Sequence, residues 1–193
     1  MCGLCTLLSA DRNAAEHLEA LEQSLQCMRH RGPDAAGTWH DEDAAFGFNR
    51  LSIIDLEHSD QPLRWGPEDN PERYALTFNG EIYNYVELRE ELSAAGYSFN
   101  TEGDGEPIVV GYHHWGKDVV EHLRGMFGFV IWDTETRTMF AGRDQFGIKP
   151  LYYATTDKGT VFASEMKCIL DMAESIGLDP VSYTHLRAHE TKA

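Results

Sequence analysis

Met1-Cys2-Gly3-Leu4-Cys5-Thr6-Leu7-Leu8 opens the chain. From Cys2 to Leu8 the stretch is short and apolar, which predicts a buried strand. It also holds the residue on which any chemistry turns. Cys2 is small enough for Met1 to be trimmed before it, leaving a thiol and a free α-amine on one atom framework. A thiol titrates at about 8.5 and an α-amino group at about 7.7–8.0, so the amine can serve as the thiol's own base near neutral pH. That is the logic of an N-terminal nucleophile. Two plainer uses compete with it. Free Cys is often a small buried hydrophobe, and Cys2 with Cys5 could form a redox or metal pair. A thioredoxin-type pair follows a strand, whereas nothing precedes Cys2. Zinc would need two more ligands, and His113-His114 is a poor source of them.

Working outward, a first helix is expected after the strand. Asn13 and Glu16 have capping-box spacing, and Leu18, Leu21, Leu25 and Met28 recur at intervals of three and four. Gly32-Pro33 stops it. Phe46 to Ile54 reads as strand, and Asp55 to Asn70 as a polar, Pro-containing excursion. Tyr74 to Phe78 alternates as a half-buried strand running into Asn79-Gly80. A second helix is expected from Asn84, with Glu87 completing its cap and Leu88, Leu92 and Ala95 on one face up to Gly96. Ile108, Tyr112 and Trp115 suggest a shorter third helix. Met126–Trp132 and Thr138–Gly142, then Leu151–Thr155 and Thr160–Ser164, read as two pairs of strands. Strands grouped apart from helices predict an α+β class with no βαβ alternation.

Three further segments carry chemistry. Asn79-Gly80-Glu81 would ordinarily be a hairpin turn, but a helix follows it in place of a second alternating strand. A side-chain amide beside an unobstructed glycine N–H is also what an oxyanion hole needs. Arg50 closes an apolar strand; it is either a strand-edge arginine or a planar fork for an α-carboxylate. Asp104, in Gly103-Asp104-Gly105-Glu106-Pro107, suits a helix cap and equally a substrate ammonium. His30-Arg31-Gly32-Pro33-Asp34 reads as loop, and Arg143–Tyr153 as a turn between strands, too charged for a core.

Composition narrows the classes. The 193 residues suffice for one domain with a real core, and the formal charge of −16 disfavours nucleic acid or an anionic membrane as partner. No apolar run has the length of a membrane span and no secretory signal opens the chain, so a cytoplasmic protein with reduced thiols is expected. Residues 1–180 are expected to form the domain. The tail 181–193 lacks periodicity and carries Arg187 and Lys192 against Glu190, unlike the acidic body. It reads as translated vector sequence or a disordered end.

Taken in order, Met1-Cys2-Gly3, His30–Asp34, Arg50-Leu51-Ser52-Ile53-Ile54-Asp55, Asn79–Asn84, Gly103–Glu106, Arg143–Tyr153 and Ala163-Ser164-Glu165-Met166-Lys167 cover almost all of residues 1–180. This ordered set resembles the class II glutamine amidotransferases, most closely the glutaminase domain of asparagine synthetases. The resemblance implies a four-layer αββα sandwich of the N-terminal-nucleophile hydrolase type. It implies glutamine as substrate and catalysis by Cys2, with Asn79 and Gly80 binding the oxyanion. Arg50 would hold the substrate carboxylate, with Leu51, Ile53 and Ile54 nearby, and Glu81 and Asp104 would hold its ammonium. No metal or cofactor is expected for this domain; ATP and Mg would belong to a synthetase domain, with its Ser-Gly-Gly-x-Asp-Ser loop, that these residues do not contain. That domain would be the ammonia-accepting partner, and a homodimer is compatible with the resemblance. Two positions depart from the family pattern: Thr6, where Gly is common and the packing behind the nucleophile is therefore in question, and Gly103, often Ser or Thr. The rival from another class is a non-catalytic interaction module.

Overall fold

The computed structural model describes residues 1–52 and 60–172. Ile53, Ile54 and the tail 181–193, with its boundary at residue 180, lie outside them. Nine strands and five helices make up the described residues: β1 Gly3–Ser9, α1 Leu18–Cys27, β2 Ala35–His40, β3 Ala44–Arg50, β4 Leu63–Trp65, β5 Tyr74–Ile82, α2 Tyr85–Ala94, α3 Glu106–Trp115, α4 Val119–His122, β6 Gly125–Asp133, β7 Thr138–Arg143, β8 Tyr152–Thr156, β9 Gly159–Ala163 and α5 Met166–Met172. Two antiparallel sheets result, one ordered β2-β3-β1-β9-β8 and the other β4-β5-β6-β7.

The layers follow from the two-residue period of a strand. On β1, Cys5 and Leu7 point to one side and pack with Leu21, Leu25 and Met28 around α1 and with Cys168 and Ile169 of α5. Leu4 points to the other side and joins Phe46, Phe48, Ala75, Val130 and Trp132 between the sheets. On the second sheet, Leu76, Phe78, Phe129 and Ile131 face outward onto Leu88, Leu92, Ile108 and Val109 of α2 and α3. The order is therefore helices, sheet, sheet, helices, the expected four-layer α+β sandwich. Phe46, Phe48 and Trp132 are almost wholly excluded from water, and each such side chain contributes about 1.5–3 kcal/mol by burial. Thr6 lies in this inner layer, its hydroxyl 3.3 Å from that of Thr77 on the opposite sheet. The departure at Thr6 thus makes a polar tie between the sheets.

Several local expectations need correction. Neither capping box forms. Asn13 makes no side-chain cap, and a 3-10 turn over Ala14–His17 precedes α1. The Asn84 amide instead ties α2 to the segment after α4, donating to the His122 carbonyl and accepting from the Arg124 N–H. Asp104 does not cap α3, whose N-cap is Gly105. The strand expected to reach Ile54 ends at Arg50. β2 arises in a stretch for which no element is expected, and β4 within the excursion expected over Asp55–Asn70.

Candidate active site

The same strand parity that builds the inner layer also gathers the site. β1 pairs with β3 so that Gly3 faces Asn49, and continuing the register by one places Cys2 opposite Arg50. Both lie on the inner face, at the end of the sandwich where these strands meet. Asn79 shares the inner face of β5 with Ala75 and Thr77. Cys2, Arg50, Leu51, Asn79, Gly80, Glu81 and Asp104 all line one cavity of about 270 Å³ at that end, together with Met1, Gln61 and Lys149. Every predicted site residue among the described ones is therefore brought to a single place.

Cys2 is half-buried and held from two sides. The Leu51 N–H donates to its Sγ at 3.3 Å, and the Arg31 guanidinium donates through Nε to its carbonyl at 2.9 Å. Arg31 is in turn fixed by Glu165 at 3.1 Å, which also meets His30 and Lys167. The loop read as plain at His30–Asp34 thus supplies a brace for Cys2. Cys5 is fully buried on the opposite face of β1, so the two thiols do not form a pair.

The Asn79 side chain is 1% exposed, and its Nδ2 is a buried donor with no partner among the described residues. Such orphans are rare in folded proteins and ask for an explanation. Gly80 is placed by the edge of β5. The Phe78 N–H donates to Gln61 Oε1 at 2.6 Å, and the Ile82 N–H donates to Asp104 Oδ2 at 2.9 Å. Alternate residues of a strand present their N–H groups to the same edge. The Gly80 N–H, midway between those two, therefore points along that edge at the cavity. A side chain at Gly80 would collide with the Met126 carbonyl and sit 2.6 Å from the Phe78 ring.

The remaining charges divide into two groups. Arg50 is 7% exposed and reaches Asp60 at 2.9 Å through Nη1. Asp104 is 8% exposed. Burial raises its pKa above the usual carboxyl value, the Ile82 N–H opposes this, and neighbouring Glu81 raises it further. Both carboxylates line the cavity. The Arg143–Tyr153 loop corrects its reading as too charged for a core: Asp144 and Lys149 are buried at 5% and 8% exposure. Sequence reasoning passed over Lys149, although an isolated lysine between Ile148 and Pro150 was the available signal. No group of three or more His, Cys, Asp or Glu residues suited to a metal ion occurs among the described residues. Nor, among them, is any helix long and apolar enough to cross a membrane.

Two antiparallel sheets between helices, with a thiol at the mouth of a central strand, are the architecture of the N-terminal-nucleophile class. Solved structures agree on that fold. The glutamine phosphoribosylpyrophosphate amidotransferase from Bacillus subtilis superimposes with a TM-score of 0.69 at 20% identity, covering 89% of this chain and 43% of that one. A structure described as the allosteric regulatory enzyme of purine biosynthesis gives 0.74 over the same shares, also at 20% identity. The chain belongs to the glutamine amidotransferase domain family, whose model matches residues 1–191. Among curated proteins, it is 56% identical over 190 residues to a putative glutamine-hydrolysing asparagine synthetase of Mycobacterium tuberculosis H37Rv, covering 93% of this chain and 29% of that protein. Asparagine synthetase 1 of B. subtilis 168 is 46% identical over 181 residues, with 93% and 28% covered. The chain thus spans under a third of the length of these relatives.

Proposed function

We propose that this domain hydrolyses glutamine to glutamate and ammonia through a γ-glutamyl thioester on Cys2, as the ammonia-supplying half of an asparagine synthetase-like enzyme. The observation that carries this is the orphaned Asn79 amide, buried in the same cavity as the Cys2 sulfur. A donor without a partner in the free protein is preorganised for an oxygen that becomes anionic only during reaction.

In this scheme Met1 is removed and the Cys2 amine takes the thiol proton. The thiolate attacks the side-chain carbonyl carbon of glutamine, and the π electron pair moves to oxygen between Asn79 Nδ2 and the Gly80 N–H. Collapse of the adduct expels ammonia, which takes the proton back from the amine. Water, activated by the same amine, then opens the thioester and frees glutamate. Arg50 binds the substrate carboxylate, sharing its guanidinium with Asp60, and Leu51 lines the cavity beside it. Glu81 and Asp104 receive the α-ammonium. The hydrolysis draws on these groups and calls for no metal or cofactor; ATP, Mg and the ammonia acceptor would belong to a synthetase domain outside these residues. A cytoplasmic setting keeps the thiol reduced.

The test is glutamate release by the purified chain together with its intact mass before and after a glutamine-analogue electrophile. Loss of Met1, a single adduct on Cys2 and turnover abolished by Cys2→Ala are expected. Equal turnover in Cys2→Ala would overturn the proposal.

A further inference from the structure

The cavity contains a cation that the scheme above leaves idle. Lys149 lines it and is 8% exposed, and among the described residues no carboxylate lies within ion-pair distance of its ammonium. The other charges at the site are accounted for. Arg31 meets Glu165 and Arg50 meets Asp60, and the proposed function gives Glu81 and Asp104 to the substrate ammonium. Lysine is seldom buried to this extent unless paired, so its position needs a cause.

The loop that carries it is built to hold it. One carboxylate, Asp144, collects four backbone N–H groups: Phe127 and Lys149 on Oδ2, Phe146 and Ile148 on Oδ1. The neighbouring guanidinium, Arg143, donates to the carbonyls of Gly147 and Lys149, each at 2.7 Å. Gly147 turns the chain with φ of +63°, a conformation that favours glycine. The segment then crosses the inner face of β6 at Gly128. A Cβ there would stand 4.0 Å from the Lys149 Cβ and 3.4 Å from the Leu151 Cβ. Gly128 is the register partner of Asn79, and directly opposed residues of an antiparallel pair share a face at close range. The lysine stem therefore starts over the sheet face that carries Asn79, and the residue lines the cavity that holds Cys2.

We infer that Lys149 is a charge-stabilising residue of the reaction, whose ammonium balances negative charge first on the Cys2 sulfur and then on the oxygen of the tetrahedral adduct. The inference rests on Cys2 being the nucleophile. No bond to Lys149 forms or breaks, and its protons stay on nitrogen. The new sulfur–carbon bond is made by Cys2, and the displaced carbonyl pair rests on the oxygen facing Asn79.

The experiment follows alkylation of Cys2 by iodoacetamide across pH, read by peptide mass so that exposed Cys27 does not interfere. Lys149→Met keeps the stem and removes the charge, Lys149→Gln is a second neutral variant, and Lys149→Arg keeps the charge. The neutral variants are expected to move the midpoint of Cys2 alkylation upward by about one pH unit, a tenfold loss of thiolate at neutral pH. Their kcat for glutamine should fall about tenfold or more, with KM within about threefold, as for a group acting on the transition state. Lys149→Arg should restore most of both. An unchanged alkylation midpoint in a folded neutral variant overturns the role of Lys149. Because alkylation needs only Cys2 and no glutamine turnover, that failure is distinct from a failure of the glutaminase proposal, which Cys2→Ala reports.

Discussion

Leu51 donates its backbone N–H to the sulfur of Cys2 at 3.3 Å. The residue directly after Arg50 thus also holds the Cys2 sulfur, so in the proposed mechanism carboxylate recognition and sulfur placement share one turn of chain. Under the proposed mechanism a 1 Å error in such a turn would be felt in rate as well as in binding.

Asn79→Ala is expected to lower kcat for glutamine hydrolysis by about 10²–10³, the usual cost of one oxyanion donor. Stability should stay level or rise, because the amide removed is a buried donor that satisfies nothing in the free protein. Steady-state kinetics beside urea denaturation checks both. A variant with normal kcat would take Asn79 out of the mechanism.

Gly80→Ala should destabilise the domain by about 1–3 kcal/mol, since its methyl group would meet the Met126 carbonyl and the Phe78 ring with no open side to relax toward. The midpoint of chemical denaturation is the measurement. An unshifted midpoint would mean that β5 and β6 separate there without cost.

For Asp104 the sign runs against the common carboxylate case. Its pKa in the folded protein is raised, first by burial, so folding disfavours its charged form relative to the unfolded chain. Stability from this group is present at low pH and is lost as pH rises through the raised value. A substrate ammonium reverses that preference. Glutamine KM should therefore fall as pH rises through that range, and Asp104→Asn should flatten the dependence. The same variant should raise KM about ten- to hundredfold while stabilising the free domain at neutral pH. A wild-type KM that is flat through the acidic range would speak against the ammonium seat.

Native-state alkylation should label Cys2 and Cys27 and spare Cys5 and Cys168 until denaturant is added. Burial raises the Cys5 thiol far above its usual range, helped by nearby Cys168, and burial pushes Cys168 up to about 12. Mass mapping of the cysteine peptides decides it. Early labelling of Cys5 would reopen a redox role for the N-terminal pair.

The elements that sequence made legible are those that bury one regular face. β1, β5, β6 and the Leu21–Leu25–Met28 stripe of α1 show their period because each sits on a layer of core. β2 was hidden because it is an edge strand: Ala35–His40 leaves most of its residues exposed and offers no apolar alternation. β4 has only three residues, and the side chain of Gln61 continues its ladder along β5 by bonding both the N–H and the carbonyl of Phe78. The caps misled because spacing shows that Asn13 and Asn84 can cap, not what else competes for their amides. At the site, Cys2, Arg50 and Asn79 were readable from residue type. The Arg31 brace and Lys149 were not, since each depends on partners more than a hundred residues away or across a sheet.

β1 is the middle strand of its sheet, laced to β3 on one side and β9 on the other. The first residues of a chain usually fray; here they are clamped almost from the start. A leader, tag or untrimmed Met1 ahead of Cys2 thus has no means of slipping the register, because a shift of one would turn Leu4 and Cys5 to the wrong sides. Such an extension leaves every layer in place while it caps the amine that the proposed mechanism uses as base. Circular dichroism, melting and chromatography would all report a sound protein, and only turnover would reveal that it is silent.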